Sequence, residues 1–255
     1  MESLKSKLNR GKLTLGSWIT LAHPAVAEIM SRAGFDWLAI DLEHSVITIR
    51  EAEELVRVVE LSGVSPLVRL SANDPVQIKR VMDAGSHGVI VPMVNSVSDA
   101  KQAVETVYYP PKGRRGVGLA RAQGYGSAFE SYRQWLNQES VIIVQVEHIE
   151  AVDNLEAILA VEGVDGFIIG PYDLSGSLGV PGQFDQPTMK KAMKKIRSIG
   201  IAAGKAFGIH VIEPNLEELR QRVDEGYNFV AFSLDIRMLD RTCRNGLDAI
   251  RSGMR

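Results

Sequence analysis

A (β/α)8 barrel is the fold class that the sequence predicts, on three observations. Eight short runs rich in Val, Ile and Leu alternate with amphipathic helical stretches. The chain has 255 residues, near the roughly 250 that such a barrel needs. No internal linker divides it, so residues 1–255 read as one barrel domain.

The eight runs are Leu13–Ser17, Trp37–Asp41, Pro66–Leu70, Gly88–Pro92, Val141–Glu147, Gly166–Gly170, Ala202–Phe207 and Phe229–Leu234. Most lack polar alternation, as strands do when helices cover a parallel sheet and bury both faces. Helical patterns lie between them at Ile49–Leu61, Pro75–Asp83, Val97–Val107, Met189–Ile199, Leu216–Glu225 and Leu239–Ile250. In the first of these, Ala52, Leu55, Val56 and Val59 share one face while Glu51, Glu53 and Glu54 point outward. Gly34, Gly63, Gly85, Gly163, Gly200 and Gly226 each follow a helical stretch, where a left-handed cap favours glycine. An open doubly wound sheet is the alternative. It usually carries a Gly-rich fingerprint after its first strand, whereas here that strand leads into Ile19-Thr20-Leu21-Ala22-His23. Tyr109–Ser127 is the one long irregular segment, and such loops are usually functional or mobile.

The formal net charge of -2 supplies no bulk attraction to nucleic acid or membrane surfaces. Met1–Lys12 is polar, without a signal-like apolar run, and no stretch approaches the ~20 apolar residues that cross a bilayer. The lone Cys243 cannot form an internal disulfide, which suits a reducing compartment. Together these predict a cytoplasmic protein with a small molecule as its partner.

Barrel chemistry sits at the C-terminal ends of strands, so polar residues there are the candidates. Strand two ends in Asp41-Leu42-Glu43-His44, and His44 suits an acid/base role because imidazole titrates near neutrality. A cap and an exposed loop residue are the plain alternatives for Asp41 and His44. Arg69, ending an apolar strand, needs an anion: a substrate carboxylate or enolate oxygen, or a structural pair with Asp41 or Glu43. Gln145 and Glu147 share one face of strand five, and Asp173 follows strand six. Glu147 and Asp173 then sit on adjacent strands and suit a hard divalent cation such as Mg²⁺ or Mn²⁺. A helix cap at Asp173 and a solvated strand end at Glu147 are the plainer readings. Gly170 would let backbone N–H groups approach a bound carboxylate.

Other groups read as secondary. His87 precedes a strand and falls at the barrel foot. His148 points toward the helices, His23 and His210 sit in loops on the functional side, and Met238 and Cys243 serve helix packing. Lys205, near the end of strand seven, is the rival nucleophile for Schiff-base chemistry on a keto acid.

The same residues resemble the HpcH/HpaI family of pyruvate-dependent aldolases over nearly the whole chain. The resemblance is carried by Ala33-Gly34-Phe35-Asp36-Trp37, Asp41-Leu42-Glu43-His44, Val68-Arg69, Asn73 to Lys79, Val91-Pro92-Met93-Val94, Gly113-Arg114-Arg115-Gly116, Gln145-Val146-Glu147, and Gly163 through Ser175. It implies a class II aldolase of pyruvate-barrel type, with Mg²⁺, Mn²⁺ or Co²⁺ held by Glu147 and Asp173. It implies that Gln145 and the backbone around Gly170 and Tyr172 contact the pyruvate part. By the same resemblance Arg69 stabilises the enolate, His44 is the acid/base, and Asp83 raises that histidine's basicity, acting across a subunit interface. A hexamer built as a trimer of dimers is implied too. The reaction implied is reversible cleavage of a 4-hydroxy-2-oxo acid to pyruvate and an aldehyde. The chain departs from many members at Tyr172 and His148, where small residues and threonine are usual, and a tyrosine would narrow the pocket. Three further readings are weighed: an oxaloacetate decarboxylase; a CoA-ester lyase, which would want Lys112, Arg114, Arg115 and Arg121 near the mouth; and a binding barrel without turnover.

Overall fold

The computed structural model describes residues 2–253. Eight strands form a closed, wholly parallel barrel in sequence order, β8 pairing back onto β1. They are β1 (Thr14–Ile19), β2 (Trp37–Asp41), β3 (Ser65–Arg69), β4 (Gly88–Val91), β5 (Val141–Val146), β6 (Gly166–Ile169), β7 (Ala206–Val211) and β8 (Phe229–Leu234). Helices α1 (Leu4–Asn9), α2 (Pro24–Ser31), α3 (Ile49–Leu61), α4 (Pro75–Asp83), α5 (Val97–Val107), α6 (Phe129–Glu139), α7 (Ile149–Leu159), α8 (Pro171–Ser177), α9 (Pro187–Ala203), α10 (Leu216–Asp224) and α11 (Asp235–Gly253) alternate with them. This is the predicted (β/α)8 architecture.

Strand alternation sorts the core into two layers. Leu38, Ile40, Val68, Val89, Val144, Phe167 and Val230 face the helices. Trp18, Trp37, Ala39, Leu67, Ile90, Ile143, Ile168 and Phe229 fill the barrel. Trp37 and Phe229 stack with ring centroids 4.2 Å apart, and Gly16 makes room, since a Cβ there would lie 2.0 Å from the Trp37 ring. Continuing the inward period past Ala39, Leu67 and Ile143 brings Asp41, Arg69 and Gln145 to the mouth. At the other end α1 inserts Leu4 and Leu8 among the inward-facing core. Its Lys5 and Lys7 pair with Asp165 and Asp36, each at 2.5 Å. The polar start of the chain had not read as a helix; it closes the foot and leaves the mouth as the accessible end.

The seventh strand corrects the sequence reading. Helix α9 runs on to Ala203, Gly204 caps it at φ +64°, and β7 begins only at Ala206. Gly200 is not a cap: a Cβ there would meet the Phe207 ring at 2.7 Å, so it permits close helix–strand packing. The other five cap glycines named above do adopt positive φ, between 81° and 99°. Lys205 therefore stands before its strand, at the foot, where its Nζ donates to the Val164 carbonyl at 2.6 Å. The shift also makes His210 a strand residue rather than a loop residue.

Helix α11 begins at Asp235, whose carboxylate accepts from the Thr20 and Leu21 N–H groups at 2.8 Å. From Arg241 to Ser252 no residue of α11 is buried. Leu239, Leu247 and Ile250 stand exposed along it, as does Cys243, which is not the buried packing residue that the sequence suggested. Among the described residues no helix is long and apolar enough to cross a membrane.

Candidate active site

Arg69 organises the mouth. Its Nε and Nη2 donate to the two Asp41 oxygens at 2.9 and 2.6 Å, and its Nη1 lies 3.4 Å from Glu43 Oε2. Both partners named for a structural pair, Asp41 and Glu43, are thus in place. Asp41 resists ionisation through burial, yet the Arg69 hydrogen bonds and charge outweigh that and hold its carboxyl below the ordinary range. Asp41 also accepts from the Glu43 and His44 N–H groups at 2.9 and 3.2 Å, fixing the turn that carries both side chains. On the other side the guanidinium lies 4.3 Å over the Trp18 ring. His44 is largely exposed, its Nε2 3.9 Å from Glu43 Oε2, and so remains reachable by substrate.

Glu147 is no solvated strand end; only 3 % of it is exposed. Its Oε1 accepts the Met93 N–H at 2.6 Å, and its Oε2 accepts from the Gln145 amide, which also reaches Glu43 at 3.3 Å. Met93 offers that N–H from a positive φ of 52°, a backbone state methionine seldom adopts. Burial pushes the Glu43 carboxyl up despite Arg69, and the Glu147 charge adds to the rise.

Gly170 packs directly on Glu147: a Cβ there would come within 2.9 Å of Oε2. Its own N–H is spent on the Val146 carbonyl at 3.0 Å, so it offers none to a ligand. No side chain caps α8, which leaves the N–H groups of Tyr172 and Asp173 without helical partners. Asp173, in that first turn, is exposed and makes no capping hydrogen bond to α8, so it is not the cap that the plainer reading made it.

Asp41, His44, Arg69, Gln145, Gly170, Tyr172 and Asp173 border one cavity of about 380 Å³ at the mouth. The donor set suits a hard divalent cation. Glu147 after β5 and Asp173 in the first turn of α8, after the adjacent β6, could both offer carboxylate oxygens, and each Glu147 oxygen keeps a lone pair after its hydrogen bond. The missing Cβ of Gly170 leaves open the space beside Oε2.

Trp18, Thr20, Ile212 and Arg237, which sequence reasoning passed over, also line this cavity, as does His210, which it places in a loop on the functional side. The side was right and the element was not, because His210 lies within the seventh strand. It is half-buried, its Nε2 3.1 Å from the Ser233 carbonyl, and loss of solvation drives its pKa down to about 4. Tyr172 meets Phe184 edge-on at 4.9 Å, between the mouth and a second cavity of about 520 Å³ that Tyr172, His210 and Ile212 also border.

Other expectations part from the mouth. Asp83 ends α4 at the foot, 3.7 Å from Arg115, and no single chain brings it to His44. Lys112 lies over the Tyr108 ring at 3.5 Å, Arg114 pairs with Glu105, Arg115 is buried, and Arg121 is tied to Glu60 and the Ala84 carbonyl. These belong to the end opposite the cavity and form no basic rim for a CoA substrate. His87 is structural as expected, 3.6 Å from Glu60 and beside Trp135. His23 and His148 cap α2 and α7.

A closed parallel barrel that gathers carboxylates, an arginine and a histidine at the C-terminal ends of its strands has the build of a barrel enzyme. Residues 14–241 match the HpcH/HpaI aldolase/citrate lyase family, and the chain belongs to it. It is similar to a hydroxypyruvate/pyruvate aldolase of Roseobacter denitrificans, 38% identical over 95% of this chain and 94% of that one. It is likewise similar to a 2-keto-3-deoxy-L-rhamnonate aldolase of Escherichia coli, 37% identical over 98% and 93%. A solved HpcH/HpaI aldolase/citrate lyase family protein from Burkholderia cenocepacia superposes with a TM-score of 0.92 at 34% identity, covering 97% and 98% of the two chains. The protein is accordingly a carbon–carbon lyase of the aldolase type.

Proposed function

We propose that the 255 residues form one catalytic barrel that reversibly cleaves a 4-hydroxy-2-oxo acid to pyruvate and an aldehyde. One observation carries this reading most: buried Glu147, bridged by Gln145 to the Arg69–Glu43 cluster, beside the Gly170–Asp173 rim. Glu147 and Asp173 would hold the cation, with Mg²⁺, Mn²⁺ and Co²⁺ the candidates. Such an ion supplies Lewis acidity that stabilises the enolate charge.

Gln145 and the free N–H groups at Tyr172 and Asp173 bind the pyruvate carboxylate and hold it in register. His44 removes the proton from the 4-hydroxyl, and the C3–C4 bond breaks with its electron pair left on C3. The products are an aldehyde and the pyruvate enolate. Arg69, kept in place by Asp41, sets a guanidinium N–H toward the enolate oxygen. A proton delivered to C3 gives pyruvate. Tyr172 and Phe184 shape the side on which the aldehyde leaves.

The exposed apolar stripe of α11 and the distance of Asp83 from its own mouth both favour an assembly of several copies, a hexamer in our reading. The free thiol of Cys243 fits the reducing cytoplasm.

The test is a panel of aldehydes with pyruvate and Mn²⁺, with the reverse reaction read by lactate dehydrogenase coupling. Metal-dependent aldol formation with at least one aldehyde is expected. Absence of any pyruvate-forming cleavage across the corresponding 4-hydroxy-2-oxo acids would overturn the reading.

A further inference from the structure

Beneath the barrel lies a second charged pair that the mouth does not use. Arg115 is 2 % exposed. Its Nη2 donates to the Tyr132 hydroxyl at 2.9 Å, and its guanidinium lies 4.3 Å over the Tyr109 ring. Among the described residues, its Nε and Nη1 are buried without any acceptor. The nearest carboxylate oxygen is Asp83 Oδ1, 3.7 Å from Nη1 and likewise buried without a partner. Yet 22% of the Asp83 side chain reaches the surface. One oxygen therefore looks inward at the guanidinium, and the other is open to the outside.

The position of Arg115 is enforced locally. The N–H groups of Gly113, Arg114 and Arg115 donate to the carbonyls of Tyr109, Glu105 and Tyr108 at 2.9, 2.6 and 3.0 Å. A Cβ on Gly113 would come within 2.4 Å of two of those carbonyl oxygens, which keeps the loop pressed to the end of α5. A buried guanidinium with unused donors costs stability, and a purely structural pair would close the gap. This pair stays apart and presents its carboxylate outward.

We propose that Arg115 is a positioning residue: its buried guanidinium keeps Asp83 ionised and turned outward to receive His44 from a second copy of this chain. This rests on the reading of Asp83 as the group that serves His44. The charges facing Asp83 are few. Arg115 comes from the loop after α5, Lys79 from its own helix, and the Tyr132 hydroxyl from α6. Burial pushes the Asp83 carboxyl up, while Arg115 and then Lys79 pull against it. Without Arg115 the carboxyl protonates at higher pH, and a neutral acid no longer supports a cationic imidazole.

The experiment is kcat/KM for aldol cleavage against pH, on the metal-loaded assembled enzyme. Asp83→Asn is expected to lower kcat across the profile. Arg115→Met is expected to move the acidic limb upward by about one pH unit or more, with KM little changed. Arg115→Lys should restore most of that limb. If Arg115→Met does not fold, Tyr132→Phe removes the guanidinium's one hydrogen-bond acceptor and should move the limb the same way by less. An impaired Asp83→Asn beside an unmoved limb in Arg115→Met, or in Tyr132→Phe where that variant stands in, overturns the role of Arg115 and leaves the Asp83 reading intact. An Asp83→Asn enzyme with wild-type kcat overturns both.

Discussion

Gly170→Ala adds a single carbon where the mouth has least room for one. The backbone there, at φ -98° and ψ 86°, accepts alanine without strain. The contacts do not. The new Cβ would stand 2.9 Å from Glu147 Oε2 and 3.0 Å from Glu147 Cβ, with Gln145 Nε2 at 3.7 Å. Carbon pairs settle near 3.5–4.0 Å, so Glu147 must retreat by roughly half an ångström. It cannot do so freely, because Met93 N–H holds one of its oxygens at 2.6 Å and Gln145 holds the other. With Glu147 as the metal ligand proposed above, disturbing its orientation is expected to cost about 10–100-fold in metal affinity or activity. The overpacking itself should cost about 1–3 kcal/mol, a fall of a few degrees in Tm. The assay is pyruvate release against Mn²⁺ concentration, with Tm measured in parallel. A metal requirement shifted to higher concentration in a folded protein is expected. Wild-type rates with an unshifted Mn²⁺ dependence would refute the place of Glu147 in the site.

Arg69→Ala is expected to lower turnover by about 100-fold or more, as losing an oxyanion donor does. It should also lower the urea midpoint, because Asp41 would be left buried and unpaired; Arg69→Lys should recover part of the stability and less of the rate. His210 contributes pH-dependent stability. Its folded pKa of about 4 lies below the ordinary 6.5, so the contribution is full above pH 6.5 and lost as pH falls toward 4. That is worth up to about 3 kcal/mol. Urea unfolding at pH 7 and pH 4.5 should show a flatter dependence in His210→Gln, and an unchanged slope would contradict this. Lys205→Ala should keep most of its activity, and borohydride with pyruvate should trap no adduct. A trapped adduct that disappears in Lys205→Ala would restore the Schiff-base alternative.

Much of the barrel was legible because buried parallel strands are short apolar runs and five of the helices are followed by the positive-φ glycines Gly34, Gly63, Gly85, Gly163 and Gly226. The failure at strand seven has a physical cause. Gly200 and Gly204 stand four residues apart, and only packing tells them apart: Gly200 lies against Phe207, and Gly204 is the left-handed cap. That slip moved Lys205 to the wrong end of its strand and His210 off it. At the mouth, Asp41, Arg69, Gln145 and Glu147 were legible from the two-residue period of their strands. Met93 was not, since its contribution is a backbone N–H at an unusual φ. Arg237 and Trp18 border the cavity from the last helix and the first strand, where no polar strand-end pattern marked them. The depth of Arg115 was hidden for a similar reason: an arginine beside Gly113 and Arg114 reads as surface charge until its loop is folded under Tyr109 and Tyr132.

Calorimetric titration of metal-free protein with Mn²⁺, for wild type, Glu147→Gln and Asp173→Asn, bears most directly on the carboxylate pair. Wild type should bind about one ion per chain, and each variant should bind at least about tenfold more weakly while remaining folded. Equal binding by all three proteins, or no binding by wild type, would contradict a cation site at this rim.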